Sequence, residues 1–102
     1  MNVIISKEAD GKTIVRLSGR LDTTNVTDFE KEVAPLMQME KPDIVIECDD
    51  FNYISSSGLR IFLTLQKHVA ATGGSLTIRK MKAEIREVFD MTGFSAIFTI
   101  EE

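Results

Sequence analysis

The chain has 102 residues, of which 43% are hydrophobic and 27% charged, with a net charge of −4. That length predicts one domain over residues 1–102, since two cores would leave roughly 50 residues each, near the lower limit for folding without staples. The composition excludes a disordered tail, a collagen-like chain and a coiled coil, and the acidic balance argues against nucleic acid or anionic lipid as a partner.

One cysteine and one histidine occur in the chain. An intrachain disulfide is therefore impossible, and a zinc site lacks its usual four ligands. Cys48 lies in the apolar run Ile44-Val45-Ile46-Glu47-Cys48 and is expected to be a small buried hydrophobe on a strand. The stretch from Met1 to Glu8 is too briefly apolar for a signal peptide, and no apolar run approaches the ~20 residues that span a bilayer. The expected location is the cytoplasm, with no membrane contact, no metal and no cofactor.

Val3 to Lys7 and Thr13 to Leu17 read as two strands around Asp10-Gly11, a hairpin signal whose two central positions would both take positive φ. Ser18 to Asp22 reads as a loop. Asp22, Thr23, Thr24 and Asn25 are N-cap candidates for a first helix carrying Val26, Phe29, Val33 and Leu36 or Met37 at helical spacing. Pro35 should kink that helix or end it early. Ile44 to Cys48 reads as a strand covered on both faces, followed by a loop over Asp49 to Ile54.

A second helix is expected from Ser56 or Ser57 toward Thr72. Its apolar stripe is Leu59, Phe62, Leu63 and Val69, widened by Ile61 and Leu65; Arg60, Thr64, Lys67 and Ala71 lie opposite. Gly73-Gly74 stops it. Ser75 to Ile78 reads as a strand, Ala83 to Met91 as a third helix and Ile97 to Ile100 as a last short strand. The predicted fold class is α/β, in the order β-β-α-β-α-β-α-β: a mixed sheet with an initial hairpin and helices on at least one face. The five methionines are scattered and fit gap-filling in the core. The cluster Arg79, Lys80, Lys82 and Arg86 fits a solvated face at the third helix.

The segment that could carry function is Asp49-Asp50-Phe51-Asn52-Tyr53-Ile54-Ser55-Ser56-Ser57-Gly58-Leu59-Arg60. Three serines and a glycine stand where a loop becomes a helix. Composition alone favours plain N-capping, with Gly58 allowing close packing. A P-loop is absent, because no Gly-Lys-Ser/Thr ending is present. Serine hydrolysis needs a base beside the nucleophile. The single histidine, His68, would lie about 18 Å from Ser56 along one helix at 1.5 Å per residue. No Gly-x-Ser-x-Gly elbow exists. No catalytic residue is therefore assigned, and His68 is expected to be a surface helix residue. In another reading a serine is acted upon. A hydroxyl at a helix N-terminus can hold a phosphate, with about −1.5 to −2 of new charge meeting any docked partner. Asp22, Asp49 and Asp50 would share that end of the sheet.

Several motifs in order give the chain a family resemblance. Gly19-Arg20-Leu21-Asp22, Ile54-Ser55-Ser56-Ser57-Gly58-Leu59, Gly73-Gly74 and Val88-Phe89-Asp90-Met91-Thr92-Gly93-Phe94 stand at family-like spacing. With them the chain resembles stand-alone STAS domains of the bacterial anti-sigma factor antagonist type. One position departs from that pattern: the family's usual Asp before the acceptor is Ser55 here.

The resemblance implies partner switching. An unphosphorylated antagonist binds an anti-sigma factor that is also a serine/threonine kinase; the kinase phosphorylates it and ends the binding; a serine phosphatase resets it. Carried over, the acceptor is Ser56, with Ser57 as the alternative. The interface is expected to centre on the Ser56 loop and the polar face of the second helix, with Asp22, Ser55, Ser56, Ser57, Gly58, Arg60, Thr64 and Lys67 as the partner-binding residues. Two other readings stay open: a STAS subunit docked constitutively in a lipid-transport ATPase complex, and a small enzyme using Ser56.

Overall fold

A computed structural model describes residues 1–101. Strand β1 (Asn2–Lys7) turns into β2 (Thr13–Leu21), and helix α1 (Val26–Val33) follows with a 3-10 turn over Ala34–Gln38. Then come β3 (Asp43–Ile54), α2 (Ser56–Thr72), β4 (Ser75–Arg79), α3 (Ala83–Met91), a 3-10 turn at Phe94–Ala96 and β5 (Thr99–Glu101). This is the expected element order. The α3 bounds match, and Pro35 ends α1 early, as its ring requires.

The five strands lie side by side in chain order, with β1 antiparallel to β2 and every other pair parallel. Each parallel step moves one place in the same direction. Right-handed crossovers then put all three helices on one face. The register divides the two faces by chemistry. Ile5, Val15, Ile46, Ile78 and Ile100 form a row across all five strands on the helix-bearing face. The next row, Ile4, Arg16, Glu47, Arg79 and Glu101, faces away from the helices. Its charges alternate in sign, the arrangement that cross-strand neighbours favour. The double covering expected for Ile44 to Cys48 is thus not found. Val45 and Glu47 are screened by flanking side chains instead, with Lys80 Nζ 3.3 Å from Glu47 Oε2.

On the covered face the core is centred on Phe62 of α2. Its ring centroid lies 6.0 Å from Phe29 of α1, 6.3 Å from Phe51 of β3, 6.0 Å from Phe89 of α3 and 6.4 Å from Phe98. Leu65, expected only to widen the stripe, is buried, whereas Leu63 is half-buried. Cys48 is fully buried, and burial pushes its thiol up to about 12. Met37, Met39 and Met81 pack against the core, but Met1 and Met91 are exposed, so gap-filling explains three of the five methionines.

Several boundaries move. β2 runs on to Leu21 and β3 to Ile54, where loops were expected, because Leu21, Phe51 and Ile54 are buried and stay in the ladder through two register irregularities. The last strand starts at Thr99, two residues late, because Phe94 to Ala96 form a 3-10 turn. The hairpin also differs from expectation. Only Gly11 takes positive φ, at 93°, after a turn closed by Gly11 N donating to Glu8 O, so the turn is a three-residue type with a glycine bulge. α2 ends in a Schellman motif: Gly73 at φ 77°, its N–H donating to Ala70 O, and Gly74 N donating to Val69 O. The basic cluster is paired: Arg79 with Glu101, Lys80 with Glu47, Lys82 with Asn52 and Arg86 with Asp90.

Candidate functional site

The segment from Ile54 to Arg60 joins the end of β3 to the start of α2. Ser55 has extended backbone (φ −87°, ψ 170°), and its hydroxyl accepts from Gly58 N at 3.2 Å, the N-cap bond. Its own N–H donates to Leu21 O at 2.8 Å. That bond ties the helix start to the end of β2 and places Asp22, the next residue, beside the serine loop. Gly58 is required by packing. A Cβ there would stand 2.8 Å from the Leu21 side chain and 3.1 Å from Ile54 Cγ1, too close for either. The capping role and the glycine's role match the structural reading of the sequence.

The three serines differ in exposure. Ser55 and Ser57 are half-buried, with their hydroxyl oxygens 2.9 Å apart, while Ser56 is exposed as the first helical residue. From Ser56 an exposed stripe continues along α2 through Arg60, Thr64 and Lys67, at steps of four, four and three residues. The first turn of α2 holds no acidic residue. The positive end of the helix dipole is therefore uncompensated by its own side chains at Ser56. Seven of the eight expected partner-binding residues lie on this loop and stripe, and Asp22 adjoins them through Leu21.

Asp22 is half-buried. Its carboxylate accepts from the Thr24 hydroxyl and from Thr24 N at 3.0 Å, and Arg20 Nε lies 3.9 Å away. The Thr24 bonds, helped by the Arg20 charge, hold the carboxyl below its usual value of 3.8. Asp49 and Asp50 do not join it. Both sit inside β3, with Asp50 opposite Ser18, several residues short of the loop.

A depressed carboxyl stabilises the folded state only when ionised. Its contribution is complete above the unfolded value of about 3.8 and is lost as pH falls through the lower folded value. Asp22→Asn is therefore expected to be less stable than the parent at neutral pH, and the gap is expected to shrink as pH falls below 3.8. Urea unfolding of both proteins across that range checks it.

Two features of the site escaped the sequence reading. Arg20 stacks over the Tyr53 ring, its guanidinium carbon 4.3 Å from the centroid. The two residues are register partners on β2 and β3. A regular period-two ladder would set Arg20 opposite Phe51; the two register irregularities between β2 and β3 bring it to Tyr53, and no signal in the sequence marks them. Asn25, expected as a cap, makes no capping bond. Its amide instead donates to Arg20 O at 2.8 Å and accepts from Asp22 N at 3.0 Å, clamping the Arg20–Asp22 segment. His68 is half-buried, its Nε2 lying 3.2 Å from Met39 O, and it is part of the packing between α2 and the 3-10 turn. Among the described residues no group of three or more His, Cys, Asp or Glu could hold a metal ion, and no helix is long and apolar enough to cross a membrane.

Comparison with known proteins gives a consistent result. The family model for the STAS domain matches residues 3–102. BtrV of Bordetella bronchiseptica, named as a candidate anti-sigma factor antagonist, is 33% identical over 89% of this chain and 78% of its own length. The anti-sigma-B factor antagonist of Bacillus subtilis strain 168 is 28% identical over 98% of this chain and 92% of its own. Among solved structures, the Bacillus anti-sigma factor antagonist SpoIIAA in its unphosphorylated form superposes with a TM-score of 0.80 at 18% identity, covering 99% of this chain and 89% of that one. Its phosphorylated form gives 0.75 at 17% identity, covering 99% and 92%.

Proposed function

We propose that this chain, which belongs to the STAS domain family and to its anti-sigma factor antagonist branch, is a protein-binding module switched by phosphorylation of Ser56, and not an enzyme. Its partner is an anti-sigma factor with serine kinase activity, and a serine phosphatase reverses the modification. The observation that carries this reading is the exposed Ser56 hydroxyl at the first position of α2, flanked by two serines whose hydroxyls are engaged with each other.

The chemistry of a switch follows from that position. A phosphate on Ser56 adds about −1.5 to −2 of charge where free backbone N–H groups and the helix dipole favour an anion. The domain therefore keeps its fold when modified. The partner meets the change: a surface that offered a small neutral hydroxyl between Asp22 and Arg60 now offers a bulky dianion. A binding site fitted to the unmodified loop loses contact and gains like-charge repulsion wherever it carries acids of its own. Ser55 at the N-cap supplies the capping oxygen without a charge, so the phosphate has the dipole to itself.

Incubation with ATP and the cognate anti-sigma kinase, followed by peptide mapping, is expected to place a single phosphate on Ser56. A phosphate on Ser57 would move the acceptor by one residue, and phosphate on neither would reject the switch. Co-purification with a lipid-transport ATPase, without a kinase, would point instead to a constitutive docking subunit.

A further inference from the structure

We propose that the free edge of β1 pairs with β1 of a second copy of this chain, joining two five-stranded sheets across a twofold axis at Ile4. The two edges of the sheet are unlike. The β5 edge is three residues long and ends in the charged Glu101. The β1 edge is six residues long, with no proline, no bulge in its pairing with β2, and no charge before Lys7. Edges of this second kind are the ones left open to another strand. Three of the six large apolar residues left exposed lie here: Met1, Ile4 at 59% and Ile5 at 38%.

The backbone fixes how a partner strand would fit. Glu8 N donates to Lys12 O at 2.7 Å, so Glu8 turns its backbone groups toward β2. Alternation along the strand then directs those of Ser6, Ile4 and Asn2 toward β2, and those of Lys7, Ile5 and Val3 outward. In an antiparallel pair centred on Ile4, Val3 and Ile5 exchange hydrogen bonds with Ile5 and Val3 of the second copy. Ile4 meets its own mate in a non-hydrogen-bonded pair, where side chains stand closest. Asn2 falls opposite Ser6, and Lys7 opposite Met1. Self-complementarity of this kind selects a second copy as the occupant, since the strand supplies on each side the apolar row the other needs.

Asp28 and Glu32 of α1 line the groove over Met1 and Val3, so the two copies bring acidic rims toward each other. These acids oppose association, which therefore tightens as salt screens the repulsion.

Sedimentation equilibrium of the full chain from about 10 to 500 μM tests it. The mass is expected to rise from 11.4 kDa toward twice that value, more steeply at higher salt, and to stay monomeric for Ile4→Lys. Ile4→Cys is expected to form an intermolecular disulfide under mild oxidation much faster than Lys12→Cys in the exposed hairpin; the pair distance suits the bond, and buried Cys48 does not compete. A parent protein that remains monomeric at 500 μM overturns the proposal and leaves the edge to a strand of another protein or to solvent. So does cross-linking of Ile4→Cys no faster than Lys12→Cys. Neither result depends on phosphorylation of Ser56.

Discussion

Ser56→Asp is expected to lose at least tenfold in affinity for the anti-sigma kinase, while Ser56→Ala binds like the parent and accepts no phosphate. A tenfold loss corresponds to about 1.4 kcal/mol, and like charges brought together in an interface cost more than that. An aspartate carries about half the charge of a phosphoserine and less bulk, so the phosphorylated protein should bind more weakly still. Titration calorimetry of the three proteins against one purified kinase measures the series. Equal affinity for Ser56→Asp and Ser56→Ala would show that charge at this oxygen is not what the partner senses. The substitution should leave the fold intact, because Ser56 is exposed and the capping bond belongs to Ser55. A carboxylate in the first turn of α2 is also on the favourable side of the dipole. Reduced binding with an unchanged melting temperature therefore separates a surface effect from unfolding.

The same geometry explains why Asp22 belongs with the serine loop although it lies thirty-two positions before Ile54. The bond from Ser55 N to Leu21 O fixes the ends of β2 and β3 to each other. Asn25 then clamps the chain on both sides of Leu21, and Tyr53 stacks against Arg20. The acid and the serines are thus held by strand ends rather than by free loops. A partner docking there would meet a preformed surface and be spared most of the entropy of ordering it.

Much of the fold could be read from the chain because each helix carries its own punctuation. Gly73-Gly74 closes α2, Pro35 closes α1, and Ile85, Val88 and Phe89 set the period of α3. Strand ends were less legible. Ser18-Gly19-Arg20 and Asp49-Asp50-Phe51-Asn52 have loop composition, yet they pair, because Leu21, Phe51 and Ile54 are buried beneath the helices and the ladder bends to keep them there. Tertiary burial overrides strand propensity at such places. The charged row Arg16, Glu47, Arg79 and Glu101 was hidden for another reason. Its members lie far apart in sequence, and only the register brings them into line. The candidate site divides the same way. The serine cluster and the helix start stand out in the sequence, but the unequal exposure of Ser56 and Ser57 depends on how α2 is seated on the sheet.

That seating rests on Phe62. Its ring meets aromatic neighbours from α1, β3 and α3, and Phe98 besides, and it is almost wholly buried. Phe62→Ala removes the ring from the point where all the layers meet, and neighbours held by separate elements cannot all collapse into the space. A loss of about 3–5 kcal/mol is expected, against a total of roughly 5–15 kcal/mol for a domain. Leu63, the adjacent residue, is half-buried, so Leu63→Ala should cost only about 1 kcal/mol. Sequence periodicity alone placed both residues in one stripe and would give them similar weight. Urea unfolding of the two variants separates these views: a large drop in midpoint for Phe62→Ala beside a small one for Leu63→Ala is expected, with the slope unchanged in both. Comparable losses would mean that α2 is seated about a different axis, and that the exposed stripe from Ser56 to Lys67 is rotated with it.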